Sequence, residues 1–366
     1  MGKREELLDY VDRRRTDRFL FAPLVDNFYS MCLAKKKWYS EVTLADHIEA
    51  ARVCGYHPLF VGYTPYPAFQ TTTRLVEQDE NRRRFEHTIS TPRGRLVNHT
   101  EDRAFDSVVW LDATVSDVGQ LDIVDWISEQ VIAGARDESI RGAFTAAVAQ
   151  ARPHGVVEYQ LELPFFLYGM IGFSHIPIMM YLDHPDRYQA SMALAEQALY
   201  RMADILIACG VDFIWIGSPG TEISSPTIME KVIVPQARKM VEHVHGRGGR
   251  VHFHCCGRSK LWIEKGYFNQ IGMDLLETLA PPPTGTVDDL AAARRMIDRK
   301  IVTKGNIDLE RILKGSVDEM RLAARKVMEA TAGYSHLVGA ADAILYGTPV
   351  ENLRAIQEEC ERRGSS

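Results

Sequence analysis

Apolar positions along the chain fall into two periods that take turns. EELLDYVDRR carries helical spacing, and FLFAPLVDN then reads as a buried strand ending at Asp26. LADHIEAARVCG is a second helix, with Gly55 at the position that usually closes one, and HPLFVGY (57–63) is the next strand. RRRFEHTIS and GRLVNHTED flank a PRG turn, which predicts an antiparallel hairpin over about 82–102. Helical DIVDWISEQVIAGA and IRGAFTAAVAQA then lead to the strand GVVEYQLELP, and PDRYQASMALAEQALYRMADILIACG leads to VDFIWIG. The C-terminal half repeats the motif through the strands RVHFHCCG, MDLLETLA, IVTKGNID and HLVGAADA, each preceded by an amphipathic segment. Short apolar strands separated by helices imply a parallel sheet, and about eight of them suit an α/β (β/α)8 TIM barrel better than an open doubly wound sheet. No G-x-G-x-x-G follows any of these strands, which removes the main reason to expect a dinucleotide-binding sheet. The expected organisation is one barrel domain over residues 1–366 with the hairpin as an insertion.

In such a barrel the reactive groups sit at the carboxyl ends of the strands. Polar residues at or just past those ends are Asp26, Asp212, Glu222, the His252–Cys256 cluster, Glu277, Asn306, Asp308 and Asp342. RVHFHCCG is the sharpest of these strings. Alternation along a strand places His252, His254 and Cys256 on one face and Phe253 and Cys255 on the other. Imidazole and thiolate on one face suit Zn²⁺, although a pair of hydrogen-bonded core residues reads equally from this string alone. Asp26 is read either as a catalytic or substrate-holding carboxylate or as a helix cap, Asp308 as the cap of LERILKG, and Tyr181 as a pocket-lining ring in an apolar run that also suits core.

Longer stretches sharpen the reading. SPTIMEKVIVPQARKMVEHVHGRG, HCCG, KGNIDLERILKGSVDEM and GTPVENLRAIQE together resemble the uroporphyrinogen decarboxylase superfamily, and within it the zinc-dependent methyltransferases that move methyl groups between corrinoid proteins and thiols. The likeness is good from about residue 200 to 358 and holds only in outline before that, through DRFLFAPL and TPRGRL. It implies the same barrel fold and a Zn²⁺ cofactor bound by His254 and Cys256. The third ligand of that branch is usually a Cys; counting back from Thr348-Pro349 puts Asp342 in its place, with His252 and Glu277 as other claimants. A carboxylate in place of a thiolate makes the site harder. The resemblance further implies a methyl donor that is a corrinoid protein or a methylated small molecule and a thiol as the expected acceptor, and places Glu222 where the family's substrate-facing residue lies; from their own positions Asp26, Glu222 and Glu277 are expected as catalytic groups and Asn306, Tyr181 and His252 as substrate contacts. The rival reading is a decarboxylase or lyase of a carboxylated substrate, in which Asp26 and Glu222 do the work. A corrinoid carrier is a third, against which stands the lack of a D-x-H-x-x-G string.

Composition adds boundaries. The 366 residues are 46% hydrophobic and 25% charged, as in a folded globular protein. The net charge of -6 and the absence of a long basic block give no support for a nucleic-acid partner. Mean hydropathy is -0.18, and no apolar stretch reaches the ~20 residues of a membrane span, so no membrane partner is expected. Charges crowd MGKREELLDYVDRRRTDR where a signal peptide has its apolar core, and the expected location is the cytoplasm. Six cysteines are too few for a disulfide scaffold and are expected as thiols or metal ligands. The expected partners are a small-molecule substrate, a corrinoid protein and a second copy of the chain as a homodimer.

Overall fold

A computed structural model describes residues 2–63, 70–135, 137–169, 175–218 and 224–364. Its strands in chain order are β1 (Leu59–Tyr63), β2 (Gln70–Gln78), β3 (Arg82–Thr91), β4 (Gly94–Arg103), β5 (Val108–Trp110), β6 (Val156–Leu161), β7 (Phe213–Ser218), β8 (Val251–Cys255), β9 (Leu275–Glu277), β10 (Val302–Ile307) and β11 (His336–Ala340). Strands β1 and β6–β11 form one seven-stranded sheet in the order β1-β6-β7-β8-β9-β10-β11, and every pairing in it is parallel. Helices supply the crossovers that parallel pairing requires. Their ends are set locally: Ser316 and Glu319 form a reciprocal cap on Val317–Ala330, and Gly55, at φ 83°, closes Leu44–Cys54 in a left-handed conformation that glycine adopts without strain.

The stretch 20–24 joins the two outer strands and curls the sheet. Ala22 N–H donates to Val338 O of β11 and Val338 N–H to Leu20 O, while Phe21 O accepts from His57 N–H just before β1. Only one bridge, Phe21 to Val338, forms where the sequence predicts a full strand. Pro23 explains the difference, because it has no N–H with which to continue the ladder. The hairpin expected over 82–102 is likewise the middle of something larger: β2 to β5 make a four-stranded antiparallel sheet in sequence order, with β3 and β4 at its centre.

The interior of the curled sheet is layered. Its floor is an apolar cluster of Leu20, Leu59, Val156, Phe213, Leu275, Val302 and Leu337, against which the first helix (Lys3–Asp12) packs Leu7, Tyr10 and Val11. Two residues further along several of these strands the inward positions turn polar. The other faces pack on helices; Phe253 of β8, for example, meets Trp262 and Phe268. Among the described residues no helix is long and apolar enough to cross a membrane. Asp212 is a correction to the sequence reading. It precedes β7 at the amino end, where Arg4 pairs with it and Val157 N–H donates to it at 3.0 Å, so it is far from the strand ends that carry chemistry.

Candidate metal centre

Strand β8 supplies the centre. As its alternation requires, His252 and His254 point into the curled sheet, and Cys256 follows one step past the strand end. Parallel register sets Gly217 of β7, His254 of β8, Glu277 of β9 and Lys304 of β10 abreast. Asp342 lies just past β11 and Asp26 just past the 20–24 stretch, and a hydrogen bond from Ile344 N–H to Leu24 O holds these two ends together. One nitrogen of His254, the Cys256 sulfur and an oxygen of Asp342 all lie within 4.8 Å of one another. Among the described residues this is the one group of three metal-binding side chains that converges in this way.

The donor set fits zinc. Nitrogen, sulfur and oxygen ligands at ~2.0–2.3 Å around a tetrahedral ion stand roughly 3.3–3.8 Å apart, a small closure from the spacing present. The electrostatics agree. Burial works against a charged His254 ring, but Cys256, Glu277 and Asp342 outweigh it and raise its proton affinity well above that of an ordinary imidazole. A site that holds a proton so firmly is one of negative potential, suited to a cation.

Beneath the three converging groups lies a polar cluster. Glu277, 1% exposed, accepts from His254 Nδ1–H at 2.8 Å and from Trp215 Nε1–H at 3.4 Å through Oε1, and its Oε2 pairs with Lys304 Nζ at 2.5 Å. The first of these bonds engages Nδ1 and makes Nε2 the nitrogen that a metal would take, the arrangement that orients metal-bound histidines. Burial opposes charge on Glu277, but Lys304, His252 and His254 prevail and hold its carboxyl well below the usual range. His252, fully buried, is 2.7 Å from Glu158 Oε2 through Nδ1 and 3.5 Å from Glu277 through Nε2. It lies deeper than the three converging groups.

A cavity of about 420 Å³ opens beside the centre and is lined by His254, Asp342, Asp26 and Trp215 among others. Asp26 caps the helix Asn27–Leu33 by accepting from Phe28 N–H at 2.9 Å, and burial, with the nearby Asp342 adding, raises its pKa to about 6. Of the two readings made of it from sequence, the helix cap is the one the geometry shows; its carboxylate also lines the cavity. His47, on the same wall, donates from Nε2 to Asn27 Oδ1 at 2.8 Å and accepts the Ser30 hydroxyl at Nδ1 at 2.9 Å; burial lowers its pKa to about 4, so it is neutral.

Other candidates lie elsewhere. Tyr181 packs its ring against Phe165 and Tyr188 at 5.8 and 6.4 Å, in an aromatic cluster, and does not line the cavity. Asn306 donates to Leu279 O at 2.9 Å. Asp308 caps its helix through Arg311 N–H, as its sequence position predicts. Glu222 falls outside the described residues. Three groups escaped the sequence reading. Lys304 and Glu158 are the buried partners of Glu277 and His252, and Glu162 follows β6 directly. Pairing of Leu161 with Ile216 puts Glu162 abreast of Gly217 and so on the level of His254. Burial raises the Glu162 pKa to about 7, against a hydrogen bond from Gln160 and the nearby His254. The strand-end criterion applied elsewhere selects it too, since GVVEYQLELP carries Glu158, Gln160 and Glu162 in one phase.

The chain can now be set beside known proteins. Over nearly its whole length it superposes on a methyltransferase from Methanosarcina mazei, with TM-score 0.63, 14% identity and 99% of each chain covered. A B12-independent methionine synthase from Shewanella sp. W3-18-1, in complex with selenomethionine, has TM-score 0.45 and 11% identity over 87% of this chain and 86% of that one. No curated protein matches the chain. At such identities the first likeness shows a shared fold. Residues 164–363, more than half of the sequence, match the uroporphyrinogen decarboxylase (URO-D) family, to which this chain belongs.

Proposed function

We propose that this protein is a zinc-dependent methyltransferase whose metal is held by His254, Cys256 and Asp342. The convergence of these three side chains at the carboxyl end of the parallel sheet, beside a cavity, carries the reading. The family membership and the fold shared with a methyltransferase are in keeping with it. In this reading the 20–24 stretch is the eighth stave of a closed (β/α)8 barrel, which brings Asp26 to the mouth.

Zinc held by His254, Cys256 and Asp342 would supply the positive charge that favours a thiolate over a thiol in the reactant. The chain does the rest. Glu277 orients His254, and Lys304 neutralises Glu277 so that the carboxylate stays ionised under burial. Asp26, which lines the cavity beside Asp342 and has a raised pKa, takes the proton that the thiol gives up. Apolar walls and Trp215 exclude water from the nucleophile. Methyl transfer then forms the S–CH3 bond as the donor–CH3 bond breaks, and the electron pair of the broken bond stays with the donor. The donor is a methylated corrinoid on a partner protein or a methylated small molecule.

Metal analysis coupled to an assay tests the proposal. Purified protein should contain about one zinc per chain, as a single three-ligand site dictates. It should demethylate methylcobalamin in the presence of a thiol, lose that activity on chelation and regain it with zinc. Full activity in metal-free protein would refute it.

A further inference from the structure

The antiparallel sheet ends in two edge strands, β2 and β5, and β5 is only three residues long. The sheet is tied to the body through β3 and β4: Asp102 accepts from the Ser40 hydroxyl, Arg83 pairs with Glu41, and Asn98 donates to Thr114 at 2.8 Å. In β2, by contrast, the side chains of Thr73, Arg74 and Glu77 bond to His87, Glu86, Arg82 and Arg84 of β3. Residues 71–76 are all exposed, including Leu75 at 47% and Val76 at 43%.

An exposed edge offers a row of backbone donors and acceptors to another chain, and proteins guard against that with lysine, proline, a bulge or a very short strand. QTTTRLVEQ is nine residues long with neither Lys nor Pro, and its one irregularity, between Leu75 and Glu77, comes near its end. The part before it is rich in threonine, whose branched side chain suits a sheet. Arg74 is the single charge there, and Glu86 of the same chain balances it at 3.2 Å.

Symmetry and charge select a register for pairing with a second copy. In an antiparallel pair, two facing residues both direct their backbone groups at the partner or both direct them away, so a twofold axis must pass through one residue and its own copy. An axis at Arg74 would set two arginines face to face, which destabilises a sheet. An axis at Leu75 would run across the bulge, and one at Thr72 would leave Leu75 outside the pairing of the two β2 strands. An axis at Thr73 sets Thr73 against its copy, Thr72 against Arg74 and Thr71 against Leu75. It opposes no like charges and covers both exposed leucines.

We infer that β2 is a self-pairing edge, through which two copies of the chain join antiparallel about Thr73 and merge their four-stranded sheets into one of eight strands. The inference is independent of the proposed function: the dimer should persist in chelated protein.

Sedimentation velocity of the full chain over a concentration series should show a reversible dimer. Thr72→Glu places a carboxylate opposite Arg74 of the second copy, twice in each dimer, and Thr72→Arg places a like charge there. The first should tighten the dimer and the second loosen it, each by about two- to thirtyfold, with circular dichroism unchanged. Thr73→Cys sets two thiols opposite each other at the ~4.5–5.5 Å Cα spacing of facing residues, within disulfide reach, so oxidised glutathione should link the copies covalently. Thr72→Cys, which faces Arg74 instead of its own copy, should not link. A wild-type monomer at about 100 µM would overturn the inference. So would equal association of Thr72→Glu and Thr72→Arg, or linkage of Thr73→Cys no more complete than that of Thr72→Cys.

Discussion

Replacing Cys256 by alanine is expected to leave a folded protein that retains no zinc and transfers no methyl group. Cys256 is half-buried just beyond β8 and contributes no packing to the core around Phe253, so its loss should change stability by well under ~1 kcal/mol. The ligand set, by contrast, loses its only sulfur, the atom that distinguishes a zinc site from one suited to magnesium or calcium. Changes to groups that merely orient ligands cost ~10–100-fold in metal affinity, and removal of a ligand should exceed that. Zinc per chain after gel filtration, read together with far-UV circular dichroism, separates the two effects. A Cys256→Ala protein that still carries stoichiometric zinc would show that the ion is held elsewhere.

Glu277→Ala should have the largest effect on stability of any single change at the centre. It strands Lys304, a cation 1% exposed, and leaves His252 and His254 without the carboxylate they share. Removing one partner of a buried ion pair costs ~3–5 kcal/mol, a large part of the ~5–15 kcal/mol that holds a typical domain folded. Glu277→Gln keeps an oxygen for His254 Nδ1–H but not the charge opposite Lys304. It should recover part of the stability and still bind zinc ~10–100-fold more weakly. Urea denaturation of the two variants beside the wild type measures this. If Glu277→Ala unfolds within about 1 kcal/mol of wild type, the cluster is not the buried ionic unit described above.

What the sequence made legible follows the range over which each feature is encoded. His254 and Cys256 are two residues apart at the end of one strand, and its alternation alone places them together. Asp342 is 86 residues beyond Cys256, and only the resemblance around Thr348-Pro349 linked it to them; no periodicity could. Glu277 was legible as a strand-end acid, but its hold on His254 depends on the register between β8 and β9. Lys304 in IVTKGNID reads as a surface lysine, because its burial is made tolerable only by a carboxylate 27 residues away. The parallel order of the sheet was legible from alternating periods. Interruption of the first expected strand by Pro23 was in plain view in FLFAPLVDN, yet the apolar run outweighed it. The extent of the antiparallel sheet was not legible, because QTTTRLVEQ and VVW lack the hydrophobic contrast that marked the central hairpin.

X-ray absorption at the zinc edge of the purified wild-type protein tests the central claim most directly. The account predicts a four-coordinate shell with one sulfur at ~2.3 Å and the remaining ligands nitrogen or oxygen at ~2.0–2.2 Å, and loss of that sulfur in Cys256→Ser protein. An absent zinc edge, or a wild-type shell without sulfur, would contradict it.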